Sequence, residues 1–146
     1  MSRLKVRPTV LIVEDGAGTR ELSRLILESH GFSCLSAETV EVALNLIQDT
    51  AKIDVLFSDI HFPGTLSGLD LAQAAMTLPH HIPTLLTSGL AIDYLDEILP
   101  DGVAFLEKPY SPEALLVAVR SVMAPLRFIL SKYPLSAHPR QQISKQ

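Results

Sequence analysis

Residues 9–15 read Thr9-Val10-Leu11-Ile12-Val13-Glu14-Asp15. A short, unbroken apolar run rich in β-branched residues is the signature of a strand covered on both faces, since a strand with one wet face alternates. The run stops on two acidic residues and Gly16, a turn signal. A strand buried on both sides needs helices above and below it. The rest of the chain supplies them.

Downstream, Leu22, Leu25 and Ile26 recur at helical spacing between polar residues and predict an amphipathic helix with that stripe inward. Ser33 to Ala37 reads as a strand, and Val42, Ala43, Leu46 and Ile47 as the stripe of a second helix. Ile53-Asp54-Val55-Leu56-Phe57-Ser58-Asp59 repeats the opening pattern, an apolar strand ending on an acid, and Pro63 and Gly64 break it. Ser67 is placed as an N-cap, with Asp70 at capping-box spacing. Thr84-Leu85-Leu86-Thr87 and Val103-Ala104-Phe105-Leu106 are the fourth and fifth strands, with a short helix over 91–98 between them. Ser111-Pro112-Glu113 starts the last helix with proline in its first turn, and Leu115, Leu116, Val119, Val122 and Met123 form its buried face. Five strands alternating with five helices, joined by right-handed crossovers, give an α/β doubly wound parallel sheet with helices on both faces.

The chain has 146 residues, one domain's worth, with 12 basic and 16 acidic groups and a net charge of -4. Residues 1–8 form a basic segment with Arg3, Lys5 and Arg7, and residues 9–124 carry five basic and all 16 acidic groups, a net of -11. Residues 125–146 form a basic tail with Arg127, Lys132, Arg140 and Lys145. An acidic body repels nucleic-acid phosphates, and so short a tail is too small for a DNA-reading domain with its own core. The sequence predicts no output domain. The longest apolar run, 114–119, is far shorter than a membrane span. The N-terminus does not read as a signal peptide. A single cysteine, Cys34, excludes an intramolecular disulfide and a cysteine metal cluster. The expected compartment is the reducing cytoplasm.

In doubly wound sheets, function gathers at the carboxyl edge of the strands. Glu14 and Asp15 follow strand one, Asp59 ends strand three, Thr87 and Ser88 end strand four, and Glu107 and Lys108 follow strand five. Each alone has an ordinary explanation: a turn-forming Asp, a β-prone Thr, a loop Lys. Together they form a set. Two carboxylates ~5 Å apart repel by about 3 kcal/mol at an effective dielectric of 20, so the group calls for a cation. Oxygen ligands without His or Cys suit Mg²⁺. Lys108 offers a point charge to a phosphoryl group and Thr87 a hydroxyl donor. The set predicts a site that holds a phosphoryl group beside a metal, with a carboxylate as nucleophile.

Glu14-Asp15, Asp59, Thr87 and Lys108-Pro109, with Phe105 three residues before the lysine, closely resemble the receiver domain of response regulators in two-component signalling. The segments Asp59-Ile60-His61-Phe62-Pro63 and Phe105-Leu106-Glu107-Lys108-Pro109-Tyr110 share that likeness, which covers residues 8–124. The resemblance implies a flavodoxin-like, five-stranded sheet of order 2-1-3-4-5. It implies that Asp59 accepts a phosphoryl group from the phosphohistidine of a sensor histidine kinase or histidine phosphotransfer protein. Mg²⁺ would be held by Asp15, Asp59 and the His61 backbone carbonyl, with Glu14 acting through water, and the Lys108–Pro109 bond would be cis. Thr87, drawn toward the phosphate, would open space into which Phe105 rotates, changing the surface that signals. Such a protein is a switch, not an enzyme on an external substrate, although it assists its own phosphorylation and dephosphorylation.

Against the family's pattern, the interval from Asp59 to Gly68 is longer by one residue, through Gly64-Thr65-Leu66-Ser67. The side chain of His61 could affect how water reaches the phosphoryl group, while His80 and His81 read as loop residues. The tail combines basic groups with Leu126, Phe128, Ile129 and Leu130, so it either frays or docks on the acidic body, a second subunit or a target. Other readings compete. A haloacid-dehalogenase-type phosphatase would need an aspartate at Val13. A dinucleotide site would need glycine at Glu21 and would set Glu14-Asp15 against a pyrophosphate. A receiver-like interaction module without phosphorylation, or a phosphate relay or sink for a kinase, remains open, as do a homodimer, the signalling target and the phosphoryl lifetime.

Overall fold

The computed structural model describes residues 6–49, 52–89 and 99–123. Five parallel strands, β1 (Thr9–Val13), β2 (Ser33–Ala37), β3 (Val55–Asp59), β4 (Thr84–Ser88) and β5 (Ala104–Glu107), pair in the order β2-β1-β3-β4-β5. Four helices are described: α1 (Ala17–Glu28), α2 (Val40–Asp49), α3 (Gly68–Thr77) and α4 (Pro112–Met123). The predicted helix over 91–98 and the tail lie outside the described residues.

Strand alternation splits the core into two layers. Side chains of Val10, Ile12, Val55, Phe57 and Leu85 face Leu27 of α1 and Leu115 and Val119 of α4. Leu11, Val13 and Leu56 point the other way, onto Val40, Ala43 and Ile47 of α2 and Leu71 and Ala75 of α3. The central strands β1, β3 and β4 are buried almost throughout, which is why they read as continuous apolar runs. Each fully buried Leu, Ile or Val stabilises the fold by about 1.5–3 kcal/mol.

Local signals place the helices. The Ser67 hydroxyl accepts from Leu69 N at 3.1 Å and Asp70 Oδ2 from Ser67 N at 2.8 Å, the capping box expected at α3. Ser111 Oγ accepts from Ala114 N at 3.0 Å, and Pro112 opens α4. In the loop between Asp59 and Gly68, Gly64 has φ of +100°, a conformation that favours glycine.

The stripe expected on α1 needs correction. Leu22 and Leu25 are 58% and 52% exposed, and the buried positions are Ser23 and Leu27, with Ile26 partly covered. At about 100° per residue, Leu25 points nearly opposite Ser23. A serine at the centre of the inward arc disguises that arc in the sequence. On α2, Val42 is likewise exposed, while Val40, Ala43 and Ile47 are buried.

Candidate functional site

Strand order puts β1 beside β3 and β3 beside β4, so the residues ending these strands meet at one rim. Ser58 of β3 is level with Val13, the residue before Glu14, and Asp59 is level with Thr87, which is level with Leu106 of β5. Ligand oxygens of Glu14, Asp15 and Asp59 lie within 4.8 Å of one another. Asp15 is exposed, whereas Glu14 and Asp59 are 9% and 7% exposed.

Lys108 enters this cluster from the turn after β5. Its Nζ is 2.9 Å from Asp59 Oδ1 and 3.3 Å from Glu14 Oε1. The Lys108–Pro109 peptide is cis, as expected, and Lys108 N donates to Ser88 O at 3.0 Å. Glu14 is further fixed by Gly16 N, which donates to its Oε2 at 2.9 Å. Arg20 Nη1 donates to the Glu14 carbonyl at 2.8 Å while Nη2 lies 3.8 Å from Glu38.

Electrostatics follow from this crowding. Burial pushes the Asp59 carboxyl up to about 7, and neighbouring Glu14 adds to the rise, against Lys108. For Glu14, burial works upward, but sharing a proton with Asp59, the Gly16 amide and Lys108 outweigh it and hold the group below its ordinary value. The two carboxyls titrate as a pair, raised as a whole by burial and mutual repulsion and opposed by Lys108. Burial works downward on Lys108, yet Asp59 and Glu14 keep the ammonium charged. Three carboxylates against one ammonium leave an excess charge of -2 when all are ionised. An all-oxygen set with that excess fits a hard divalent cation such as Mg²⁺.

Thr87 is 2% exposed, and its hydroxyl donates to Leu106 O at 2.6 Å, so it is engaged with β5 rather than with Asp59. Phe105 is fully buried in a cluster with Ile60, Leu86, Leu99 and Val103. In this structure the Phe105 ring lies inside the fold. Phenylalanine has no hydroxyl to keep wet, and leaving its ring outside would forfeit about 2–3 kcal/mol of burial. The side chain of His61 is exposed in the loop after β3. A cavity of about 240 Å³ adjoins the site, lined by Asp15, Glu38, Thr39, Val40, Phe62 and Leu66 among others.

Three contributors were not legible in the sequence. A Cβ on Gly68 would stand 2.0 Å from the Asp59 carbonyl oxygen, so α3 seats directly on the backbone of Asp59. Arg20 braces the acidic turn. Ser23 meets the Tyr110 hydroxyl at 3.3 Å. Only Gly68 carried a signal, as a glycine immediately after an N-cap, where a helix former would be the ordinary choice.

A doubly wound sheet with acids and a lysine gathered at its carboxyl edge defines a class of phosphoryl- or nucleotide-handling α/β domains. The comparison with known proteins narrows this class to one family: residues 10–120 match the response regulator receiver domain. The chain belongs to that family. It is 32% identical over 122 residues to the phosphate regulon transcriptional regulatory protein PhoB of Pseudomonas aeruginosa, covering 81% of this chain and 52% of PhoB. It is 27% identical to the transcriptional regulatory protein CpxR of Escherichia coli, over 78% of this chain and 48% of CpxR. The chain thus spans about half the length of these relatives. Among solved structures it superposes on a response regulator receiver protein from Sinorhizobium medicae (TM-score 0.72, 25% identity, 80% of this chain and 94% of the other). A receiver domain from the hybrid histidine kinase CckA gives a TM-score of 0.67 at 29% identity, covering 80% of this chain and 99% of that domain. Among the described residues, no helix is long and apolar enough to cross a membrane.

Proposed function

We propose that this receiver domain is a phosphorylatable switch in which Asp59 accepts a phosphoryl group from a phosphohistidine donor. The supporting observation is the placement of Lys108 Nζ, 2.9 Å from Asp59 and 3.3 Å from Glu14, in a cluster with three carboxylates. An Asp59 Oδ–P bond forms as the P–N bond of the donor breaks, and imidazole leaves with the bonding electrons. Little covalent help is needed from the protein; positioning and charge neutralisation suffice. Lys108 meets the negative charge on the phosphoryl oxygens. Thr87, one rung away in β4, gives up its bond to Leu106 O to donate to one of them. Glu14, Asp15, Asp59 and the His61 carbonyl are the groups that would hold Mg²⁺, which when bound would offset phosphoryl charge. The histidine kinase context of the CckA receiver supports a sensor kinase or phosphotransfer protein as donor. The receiver unit spans 9–124, and turnover is confined to loading and unloading its own aspartate.

Incubation with acetyl phosphate, with and without Mg²⁺, tests this reading. Wild type gains one phosphate that survives acid but not alkali, and Asp59→Asn gains none. Uptake by Asp59→Asn, or equal uptake without a divalent cation, would overturn the assignment.

A further inference from the structure

Ser23 occupies the middle of the buried arc of α1, 3% exposed, where an apolar residue would ordinarily sit. A buried hydroxyl carries a desolvation penalty unless it is hydrogen-bonded. Its partner is the Tyr110 hydroxyl at 3.3 Å, 87 residues away in the chain. The Tyr110 ring also meets Phe57 edge-on, with centroids 6.0 Å apart, and Phe57 lies two residues before Asp59. Tyr110 follows the cis Lys108–Pro109 bond, and Lys108 N is tied to Ser88 O of β4. The lysine turn is thus fastened at both ends, to β4 through its main chain and to α1 through Tyr110.

We infer that the Ser23–Tyr110 hydrogen bond is a positioning device that anchors the lysine turn to α1, so that Lys108 Nζ is delivered between Asp59 and Glu14. The inference rests on the phosphoacceptor reading above. Lysine ends in a flexible four-carbon stem, so its reach is fixed by where its backbone is held. The helix receiving the tie is the one that follows Glu14 and Asp15, so one bond couples the acidic turn to the basic turn. Ser23 and Tyr110 act through Lys108 and touch no phosphoryl group themselves. A misplacement of about 1 Å in such a site is enough to slow a reaction markedly.

Rates of phosphate incorporation from acetyl phosphate at saturating Mg²⁺ test this, using wild type, Ser23→Ala, Tyr110→Phe, the double variant and Ser23→Thr. Each single loss of a hydroxyl slows incorporation about three- to tenfold. The double variant is no slower than either single one, because both remove the same bond. Ser23→Thr recovers the rate, and the Mg²⁺ concentration for half-saturation stays at the wild-type value in every variant. Wild-type rates in both single variants, or losses that multiply and come with weaker Mg²⁺ dependence, would overturn the positioning role while leaving the site reading intact. Failure of wild type itself to take up phosphate would overturn the site reading, and the positioning role with it.

Discussion

Lys108 Nζ lies 2.9 Å from Asp59 Oδ1, closer than to any oxygen of Glu14. The ammonium therefore compensates the carboxylate that is both most buried and most in need of a counter-charge. Removing it leaves two coupled acids facing one another in a half-dry pocket. Lys108→Met should lower stability at pH 8 without divalent cations by about 1–3 kcal/mol, a figure reduced for the partial exposure of the lysine. The loss should shrink at pH 5.5, where Asp59 is protonated. Urea denaturation at the two pH values measures both.

Because burial lifts Asp59 to about 7 from an ordinary value of 3.8, the folded protein holds a proton that the unfolded chain has already released between those values. Stability contributed through this group is therefore present below pH 4 and falls as pH rises toward about 7. Glu14, shifted downward, acts with the opposite sign, its contribution being lost only below its ordinary 4.5. Asp59→Asn should flatten the slope between pH 5 and 8 and leave the metal-free variant more stable than wild type at pH 8 by about 1–3 kcal/mol. Chemical denaturation across that range checks the sign.

The same proton competes with any cation for Asp59. Added Mg²⁺ should raise the melting temperature of wild type more at pH 8 than at pH 6, and should raise that of Asp59→Asn far less at either. Thermal melts with and without Mg²⁺ provide the comparison.

Gly68→Ala places a methyl group 2.0 Å from the Asp59 carbonyl oxygen, with the backbone on both sides of the contact. Either α3 or the end of β3 must shift. A loss of about 2–4 kcal/mol is expected, in the range of severe core overpacking, and phosphate uptake should fall with it if the displaced Asp59 is the acceptor proposed above.

On α1, the corrected stripe makes opposite forecasts for neighbouring leucines. Leu25→Ser should change stability by no more than about 0.5 kcal/mol, since the side chain is 52% exposed. Leu27→Ala should cost about 2–5 kcal/mol, since Leu27 is fully buried. Urea midpoints of the two variants distinguish the faces.

The alternation of strands and helices, the helix starts at Ser67 and Ser111, and the strand-end positions of Glu14, Asp15, Asp59 and Lys108 were legible because each depends on local pattern, while the strand order that brings those ends together came from the family resemblance. What escaped depends on how elements lie against one another. Ser23 reads as a surface residue until α1 is docked and its partner Tyr110 arrives from the far end of the chain. Gly68 reads as a poor helix former in a first turn until α3 meets the Asp59 carbonyl. The Thr87 hydroxyl bond to Leu106 O and the burial of Phe105 depend on how β4 and β5 pair and pack, which no local pattern displays.

Asp59, Thr87 and Leu106 occupy one transverse row across β3, β4 and β5, and the last two are already joined by the threonine hydroxyl. Neighbouring strands stand about 4.8 Å apart, so Asp59 is only two strand spacings from the outermost strand. Under the proposed function, a chemical change at Asp59 would have a short lateral path to the flank of the sheet, and a partner reading it would need only the β5 edge and not the acidic cleft.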